Sequence, residues 1–158
     1  MDKNRLHLYT GNGKGKTTAA MGLALRMLGH DEPVLITQFM KDGKSGEIQA
    51  LSIFPKARIV EGARMSGFIW RMGEAQLEKA RQDIKASLAQ LEAEIRAWQP
   101  RLTVLDELAV ALSTRLIEEA DAWHLIDTAL EYGDVVVTGR YAGEKLKEKA
   151  GYVSSIEP

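Results

Sequence analysis

The sequence predicts an α/β protein in which a mostly parallel sheet of about five to six strands lies between two layers of helices. Three observations predict this fold. Short apolar segments alternate with longer amphipathic segments along the chain. One short segment contains three consecutive valines, Val135, Val136 and Val137, as expected for a strand buried on both faces. A glycine-rich segment at residues 10–18 connects the first predicted strand directly to the first predicted helix.

The beginning of the chain predicts a strand, a helix, a strand and a short helix. Residues 5–9 alternate and then become apolar, which predicts a strand. Residues 17–28 are rich in Ala, Leu and Met and predict a helix that ends at Gly29. Residues 34–39 predict a buried strand, and residues 48–53 predict a short helix.

The middle of the chain predicts a weak strand, a loop and a long helix. Residues 57–61 predict the strand. Residues 61–73 contain three glycines and show no period, so we expect an exposed loop that carries large apolar side chains. Residues 77–98 place apolar side chains at helical spacing, and Pro100 ends this amphipathic helix. The pattern covers only about three heptads, which favours a helix packed on a sheet over a coiled coil.

The last third of the chain predicts three strands and two helices. In chain order the elements are a strand at 102–105, a helix at 117–130, a strand at 134–138, a helix at 144–149 and a strand at 152–156. In parallel sheets of this kind, ligands bind beyond the carboxyl ends of the strands. The sequence contains no internal repeat or linker, so we expect residues 1–158 to form a single domain.

Composition excludes several function classes. The chain has 158 residues, 45% of them hydrophobic, and a formal charge of −1, which argues against a general nucleic-acid binder. The absence of cysteine excludes a thiol nucleophile, a thiolate metal site and an iron–sulfur cluster. The sequence contains neither an apolar membrane-spanning run nor a signal peptide, so we expect no membrane association and a cytoplasmic location. Residues 1–71 carry a net charge of +5 and residues 72–158 a net charge of −6, so the first half is the better place for an anionic ligand.

The strongest motif is a phosphate loop, which lies between a strand and a helix as such loops require. Its glycines let backbone N–H groups surround phosphate oxygens, and the helix N-terminus adds partial positive charge. Lys16 is expected to neutralise the phosphates, and the Thr17 hydroxyl is expected to bind Mg²⁺. Thr10 stands where the general pattern has its first glycine. The predicted phosphate-binding residues are Gly11, Asn12, Gly13, Lys14, Gly15, Lys16, Thr17 and Thr18, although Lys14 could instead point to water.

Two further strand ends carry charged residues. Asp106 and Glu107 follow a buried strand, where a Walker B acid holds Mg²⁺; alternatively Asp106 caps a helix and Glu107 is solvated. Glu107 could align a hydrolytic water or complete the metal shell. Arg140 follows the valine-rich strand and either contacts a triphosphate or is a surface arginine at a turn. Together with the phosphate loop, these features predict a RecA-like P-loop NTPase fold with three α/β/α layers.

The order of the motifs resembles that of one enzyme family over nearly the whole chain. The motifs are the phosphate loop, Gln38-Phe39-Met40-Lys41, Gly46-Glu47, Gly67-Phe68-Ile69-Trp70, Leu105-Asp106-Glu107 and Thr138-Gly139-Arg140. They are similar to those of corrinoid adenosyltransferases of the CobA/CobO/BtuR type. The resemblance implies transfer of the 5′-deoxyadenosyl group of ATP to cob(I)alamin or a related corrinoid, with release of triphosphate. No general base is needed for that reaction.

The resemblance also implies roles for individual residues. Lys16, Thr17, Asp106 and Glu107 would act on the departing triphosphate, the last three by holding Mg²⁺. Phe68 and Trp70 match the aromatic residues that displace the lower axial ligand of the corrinoid, although composition alone favours two rings that anchor the loop to the core. The remaining residues implied to bind nucleotide or corrinoid are Gln38, Lys41, Glu47 and Arg140. A flavoprotein reductant and a homodimer are implied as well.

Two other functions fit the same motifs. The first is a RecA-like ATPase that uses Glu107 and releases phosphate. The second is a non-catalytic carrier of nucleotide and corrinoid. The phosphate-containing product distinguishes the transferase from the ATPase, and tight binding without turnover would identify the carrier.

Overall fold

The computed structural model describes residues 5–40, 45–62 and 73–158. In these ranges six strands form one sheet and six helices cover it. The strands are Leu6–Thr10 (β1), Val34–Gln38 (β2), Ala57–Glu61 (β3), Leu102–Asp106 (β4), Asp134–Thr138 (β5) and Tyr152–Ser155 (β6). The helices are Lys16–Gly29 (α1), Gly46–Leu51 (α2), Glu74–Trp98 (α3), Leu108–Ser113 (α4), Glu119–Leu130 (α5) and Glu144–Lys149 (α6).

Every strand pair in the sheet is parallel, and the strand order is β3-β2-β4-β5-β1-β6. Strand β5 therefore lies between β1, which leads into the phosphate loop, and β4, which ends in Asp106. Because the strands are parallel, their carboxyl ends meet at one edge of the sheet. This edge is where the sequence predicts the site, and the α/β fold with a parallel sheet is confirmed.

Buried apolar residues form two clusters, one on each face of the sheet. Helices α1 and α2 cover one face, and α3, α4, α5 and α6 contribute to the cluster on the other. Strand β5 contributes to both clusters. Val136 packs in the cluster under α1 and α2, and Val135 and Val137 belong to the cluster on the opposite face. All three valines have no exposed surface, which confirms that this strand is buried on both faces.

Helix α3 is the long amphipathic helix that the sequence predicts. It buries one apolar stripe, Ile84, Leu88, Leu91 and Ile95, at spacings of three and four residues. Burial of each such side chain contributes roughly 1.5–3 kcal/mol to folding. The helix ends at Trp98, and the next residue, Gln99, adopts a left-handed φ of 51° just before Pro100. It begins at Glu74, three residues before the predicted start.

The sequence predicts no helix at 108–113, where the structure has α4. This helix spans only six residues, and its apolar side chains give no helical period in the sequence. The helix predicted at 117–130 is confirmed, but it begins two residues later than predicted, at Glu119. Ile117 is buried outside the helix, and Glu118 is extended. The predicted helix begins too early because Ile117, a buried residue of the preceding connection, continues the apolar spacing of α5.

The other predicted strands and helices are confirmed within one or two residues at their ends. The predicted loop at 61–73 lies largely outside the described residues, because only its first two residues and its last are described. Among the helices of the described ranges, none is both long enough and apolar enough to cross a lipid bilayer.

Candidate active site

The phosphate loop occupies the turn between Thr10 at the end of β1 and Lys16 at the start of α1. Gly11 and Gly15 adopt left-handed φ angles of 103° and 111°, which glycine tolerates without steric cost. A Cβ atom placed on Gly15 would meet no other group within 4 Å, so the space beside this residue is open. The loop therefore has the backbone shape that its glycines predict.

Two polar side chains fix this loop. Lys16 is 8% exposed, and its Nζ donates a 2.7 Å hydrogen bond to the Gly13 carbonyl oxygen. The hydroxyl of Thr10 donates a 2.8 Å hydrogen bond to the Gly139 carbonyl oxygen, just beyond β5. Threonine at the first position of the motif therefore ties the start of the loop to the neighbouring strand, which a glycine could not do.

Asp106 is fully buried and accepts hydrogen bonds from three side chains. Thr17 Oγ1 and Thr138 Oγ1 donate to its Oδ1 atom at 2.8 and 2.6 Å. Gln38 Nε2 donates to its Oδ2 atom at 2.9 Å. These donors offset the cost of burying a carboxylate. Asp106 is the last residue of β4 and not the N-cap of α4, a position that Glu107 occupies.

Glu107 adopts a left-handed φ of 65°, which is unusual for a residue with a side chain. Its backbone N–H donates a 2.9 Å hydrogen bond to Thr138 Oγ1. Such strained backbone conformations occur often at functional sites because the surrounding structure stabilises them. The Thr138 hydroxyl therefore contacts both acidic residues, accepting from the backbone of one and donating to the side chain of the other.

A cavity of about 490 Å³ lies beside the phosphate loop at the carboxyl edge of the sheet. This size is within the usual range for small-molecule sites. Three basic side chains line it, Lys14, Lys16 and Arg140, and a group that carries several negative charges fits such a lining. The other lining residues are Gly13, Gly15, Thr17, Thr18, Glu107, Val110 and Tyr141.

Some of the predicted site residues lie elsewhere. Gln38 does not line the cavity and donates to Asp106, and Glu47 is half-buried in the first turn of α2. Gly11 and Asn12 do not line the cavity, although both belong to the loop. The remaining three predicted residues, Lys41, Phe68 and Trp70, lie outside the described residues.

The structure adds two residues that sequence reasoning missed. Thr138 belongs to the Thr-Gly-Arg motif, in which the sequence indicates a role only for the arginine. Its contact with Asp106 depends on β5 lying beside β4, and the sequence does not show that strand order. Tyr141 lines the cavity, is 70% exposed and has a left-handed φ of 62°. No sequence signal distinguishes it from any other tyrosine in a turn.

The donor set of the site suits Mg²⁺. Thr17, Asp106 and Glu107 offer hydroxyl and carboxylate oxygens, the ligands that this ion prefers. In the described ranges, no group of three or more His, Cys, Asp or Glu side chains could hold a metal by itself. A Mg²⁺ ion at this edge would therefore be bound partly by substrate phosphate and water, as is common for nucleotide enzymes.

Comparisons with known proteins agree on one family. Residues 2–158 match the family model described as ATP:corrinoid adenosyltransferase BtuR/CobO/CobP. The chain is 32% identical to the corrinoid adenosyltransferase of Pseudomonas aeruginosa over 157 residues, which cover 98% of this chain and 75% of the relative. It is 32% identical to corrinoid adenosyltransferase CobA of Salmonella typhimurium over 156 residues, covering 96% and 75% of the two chains.

A solved structure supports the fold independently. The chain is similar to a KaiC-like protein from Pyrococcus horikoshii with a TM-score of 0.60 over 99% of this chain and 74% of the other. Sequence identity between the two is 16%, so the likeness concerns the fold alone.

Proposed function

The chain belongs to the ATP:corrinoid adenosyltransferase family, and we propose that it transfers the 5′-deoxyadenosyl group of ATP to cob(I)alamin or a related corrinoid and releases triphosphate. It is a transferase whose substrates are ATP and a corrinoid. The single observation that carries the proposal for the site is the cavity that Lys14, Lys16 and Arg140 line beside the phosphate loop.

The proposed reaction needs charge neutralisation more than proton transfer. The cobalt(I) electron pair attacks the 5′ carbon of ATP, a Co–C bond forms, and the C5′–O bond breaks. The electron pair of that bond leaves with the triphosphate, so no proton has to move and no general base is needed. Developing negative charge on a leaving group is stabilised by preorganised positive groups. The basic lining of the cavity provides such groups.

We propose that Mg²⁺ assists the same step. When bound, the ion would add positive charge to the phosphate oxygens of the leaving group. Thr17 and Glu107 are its proposed protein ligands, and Asp106 holds it directly or through water. The hydrogen bond from Thr17 to Asp106 supports this assignment, because it holds the Thr17 hydroxyl in one orientation.

Other parts of the proposal rest on the family resemblance. Phe68 and Trp70 would displace the lower axial ligand of the corrinoid, so that cobalt(I) becomes accessible. Gln38, Lys41 and Glu47 would assist nucleotide or corrinoid binding. A flavoprotein would supply the electron, and two copies of the chain would form a homodimer. We also propose a cytoplasmic enzyme of one domain that does not act on nucleic acid; the pairing of β1 with β6, from opposite ends of the chain, supports a single domain.

An anaerobic assay tests the proposed activity. The protein is incubated with ATP, Mg²⁺, cobalamin and a strong chemical reductant, and the corrinoid is followed by its absorption spectrum and by mass spectrometry. We expect a corrinoid product that carries the adenosyl group, and little of it from a Lys16→Met variant. A wild-type protein that binds ATP and corrinoid but forms no adenosylated product would contradict the proposal.

A further inference from the structure

The chain beyond β6 lies directly on the phosphate loop. Strands β1 and β6 pair in register up to Thr10 and Ser155. Past that point the Ile156 backbone N–H donates a 2.8 Å hydrogen bond to the Thr10 carbonyl oxygen. The Gly13 backbone N–H in turn donates a 2.7 Å hydrogen bond to the Ile156 carbonyl oxygen. Residues 156–158, here called the tail segment, therefore continue the pairing from the strand onto the loop.

The glycines of the loop differ in what surrounds them. A Cβ atom on Gly13 would lie 2.7 Å from the Glu157 carbonyl group and 2.8 Å from the Ile156 carbonyl oxygen. A Cβ atom on Gly11 would also collide with the Ile156 backbone, whereas one on Gly15 would meet nothing within 4 Å. Gly13 does not have a positive φ, unlike Gly11 and Gly15. The tail segment, and not backbone conformation, is thus what excludes a side chain at position 13.

We propose that the tail segment positions the phosphate loop for its ligand, and that Ile156 is the positioning residue. Through its carbonyl oxygen Ile156 holds Gly13, and the Gly13 carbonyl oxygen holds the Lys16 ammonium group at 2.7 Å. The inference rests on the proposed function in one respect, that this loop binds the triphosphate of ATP. It extends that function by assigning the shape of the loop and the place of its lysine to a segment that begins 140 residues after Lys16 in the sequence.

The expected consequence is a loss of preorganisation. A loop that the tail segment holds in place loses little conformational freedom when a ligand binds, and a free loop loses more. Removing the tail segment should therefore weaken ATP binding by about tenfold. Hydrogen exchange of the loop amides should become faster, because Gly13 loses its acceptor.

A set of five variants tests the proposal. They are a deletion of residues 156–158, Gly13→Ala, the two changes combined, and Gly15→Ala with and without the deletion. Glu157→Ala is the matched control, since it keeps the backbone of the tail segment and removes only a side chain whose carboxylate accepts from Ser155 Oγ. The measurements are the Kd for MgATP by calorimetry, amide exchange at residues 10–16 without nucleotide, and thermal unfolding.

The proposal predicts that the effects of Gly13→Ala and of the deletion on ATP binding are not additive. The effects of Gly15→Ala and of the deletion should be additive. Gly13→Ala should weaken ATP binding about tenfold in the full chain and change it little in the deletion variant, because the group it meets is gone. Gly15→Ala should weaken binding equally in both backgrounds, since its backbone is strained whatever surrounds it. Glu157→Ala should behave as wild type. Equal losses for Gly13→Ala in the two backgrounds, or unchanged loop exchange after the deletion, would overturn the proposal.

The exchange measurement separates this proposal from the proposed function. It is made without nucleotide, so it decides whether the tail segment holds the loop even if the protein transfers no adenosyl group. Should Gly13→Ala fail to fold, the deletion and its Glu157→Ala control still decide the question through exchange. In an active enzyme, the deletion should raise the KM for ATP and leave the KM for the corrinoid unchanged.

Discussion

The hydroxyl group of Thr138 donates a 2.6 Å hydrogen bond to the buried carboxylate of Asp106 and accepts a 2.9 Å bond from the backbone of Glu107. The contact joins the ends of β4 and β5 at the edge where the cavity lies. Loss of a hydrogen-bond donor to a buried carboxylate destabilises the fold, because a buried charge needs hydrogen-bond partners to replace water. One threonine thus contacts both acidic residues of the proposed magnesium site, the side chain of Asp106 and the backbone of Glu107.

Thr138→Val is expected to impair both stability and activity. Valine keeps the shape of the side chain and removes the hydroxyl, which leaves the Glu107 N–H without its acceptor and Asp106 with one donor fewer. We expect a loss of about 1–3 kcal/mol in the free energy of unfolding. We also expect a higher Mg²⁺ concentration for half-maximal activity. Chemical denaturation and Mg²⁺ titrations measure the two effects.

Thr138→Ser is the matched control for that change, since it retains the hydroxyl. Thr138→Ser should keep the Mg²⁺ requirement of wild type even if some packing is lost. If Thr138→Val and Thr138→Ser shift the Mg²⁺ requirement equally, the hydroxyl does not orient the acids.

Glu107→Gln tests which of two roles Glu107 has, completing the metal shell or aligning a hydrolytic water. If its carboxylate holds the metal, the variant should need more Mg²⁺ and lose adenosyl transfer in proportion, because an amide oxygen carries no charge. The backbone bond to Thr138 is unaffected, so stability should change little. Activity measured against Mg²⁺ concentration tests this. A variant with wild-type activity at every Mg²⁺ concentration would exclude the metal role.

Arg140→Ala is expected to weaken ATP binding by about tenfold, which corresponds to roughly 1.4 kcal/mol for one exposed charged contact. Arg140 lines the cavity and is exposed, so its removal should not alter the fold. Calorimetric titration with ATP measures the effect, and Arg140→Lys should recover part of it. Full binding by Arg140→Ala would show that this arginine is only a surface residue at a turn.

Acid should loosen the contact between α3 and α5. Glu92 on α3 accepts from Arg96 and contacts His124 on α5, each at 3.0 Å. Burial alone would raise the pKa of Glu92, but the hydrogen bonds from Arg96 and His124 outweigh it, so this pKa lies below its ordinary value of 4.5. A carboxylate with a lowered native pKa stabilises the fold above pH 4.5, and that contribution is lost as the pH falls through the native value.

Thermal unfolding between pH 3 and pH 7 tests this prediction. Glu92→Gln should lower the stability near neutral pH and flatten the acid limb of the curve. Glu148→Gln, which changes an exposed carboxylate on α6, is the control and should leave the acid limb as in wild type. An unchanged acid limb in Glu92→Gln would show that this contact does not contribute.

The sequence predicts those parts of the fold that depend on local pattern. The uninterrupted valines of β5 are typical of a strand buried on both faces, and the apolar spacing of α3 is typical of a helix packed along one stripe. The phosphate loop is predictable for the same reason, because its glycines and lysine stand within nine residues of one another. A role for Asp106 and Glu107 at the site is predictable because both residues stand at the end of a buried apolar segment.

Other features depend on strand order, which no local pattern contains. The contacts of Asp106 with Gln38 and Thr138 arise because β4 lies between β2 and β5. The packing of Ile156 on Gly13 arises because β6 lies next to β1. Helix α4 escapes prediction for a different reason, since a helix of six residues is too short to show a period.

The most direct test of the central claim is to identify the phosphate product of turnover. Phosphorus NMR of an anaerobic reaction with ATP, Mg²⁺ and prereduced cobalamin distinguishes the possibilities in one spectrum. Adenosyl transfer predicts inorganic triphosphate, formed in a one-to-one ratio with the adenosylated corrinoid and absent when the corrinoid is omitted. ADP and inorganic phosphate, formed at the same rate with or without corrinoid, would contradict the account and identify a hydrolytic ATPase.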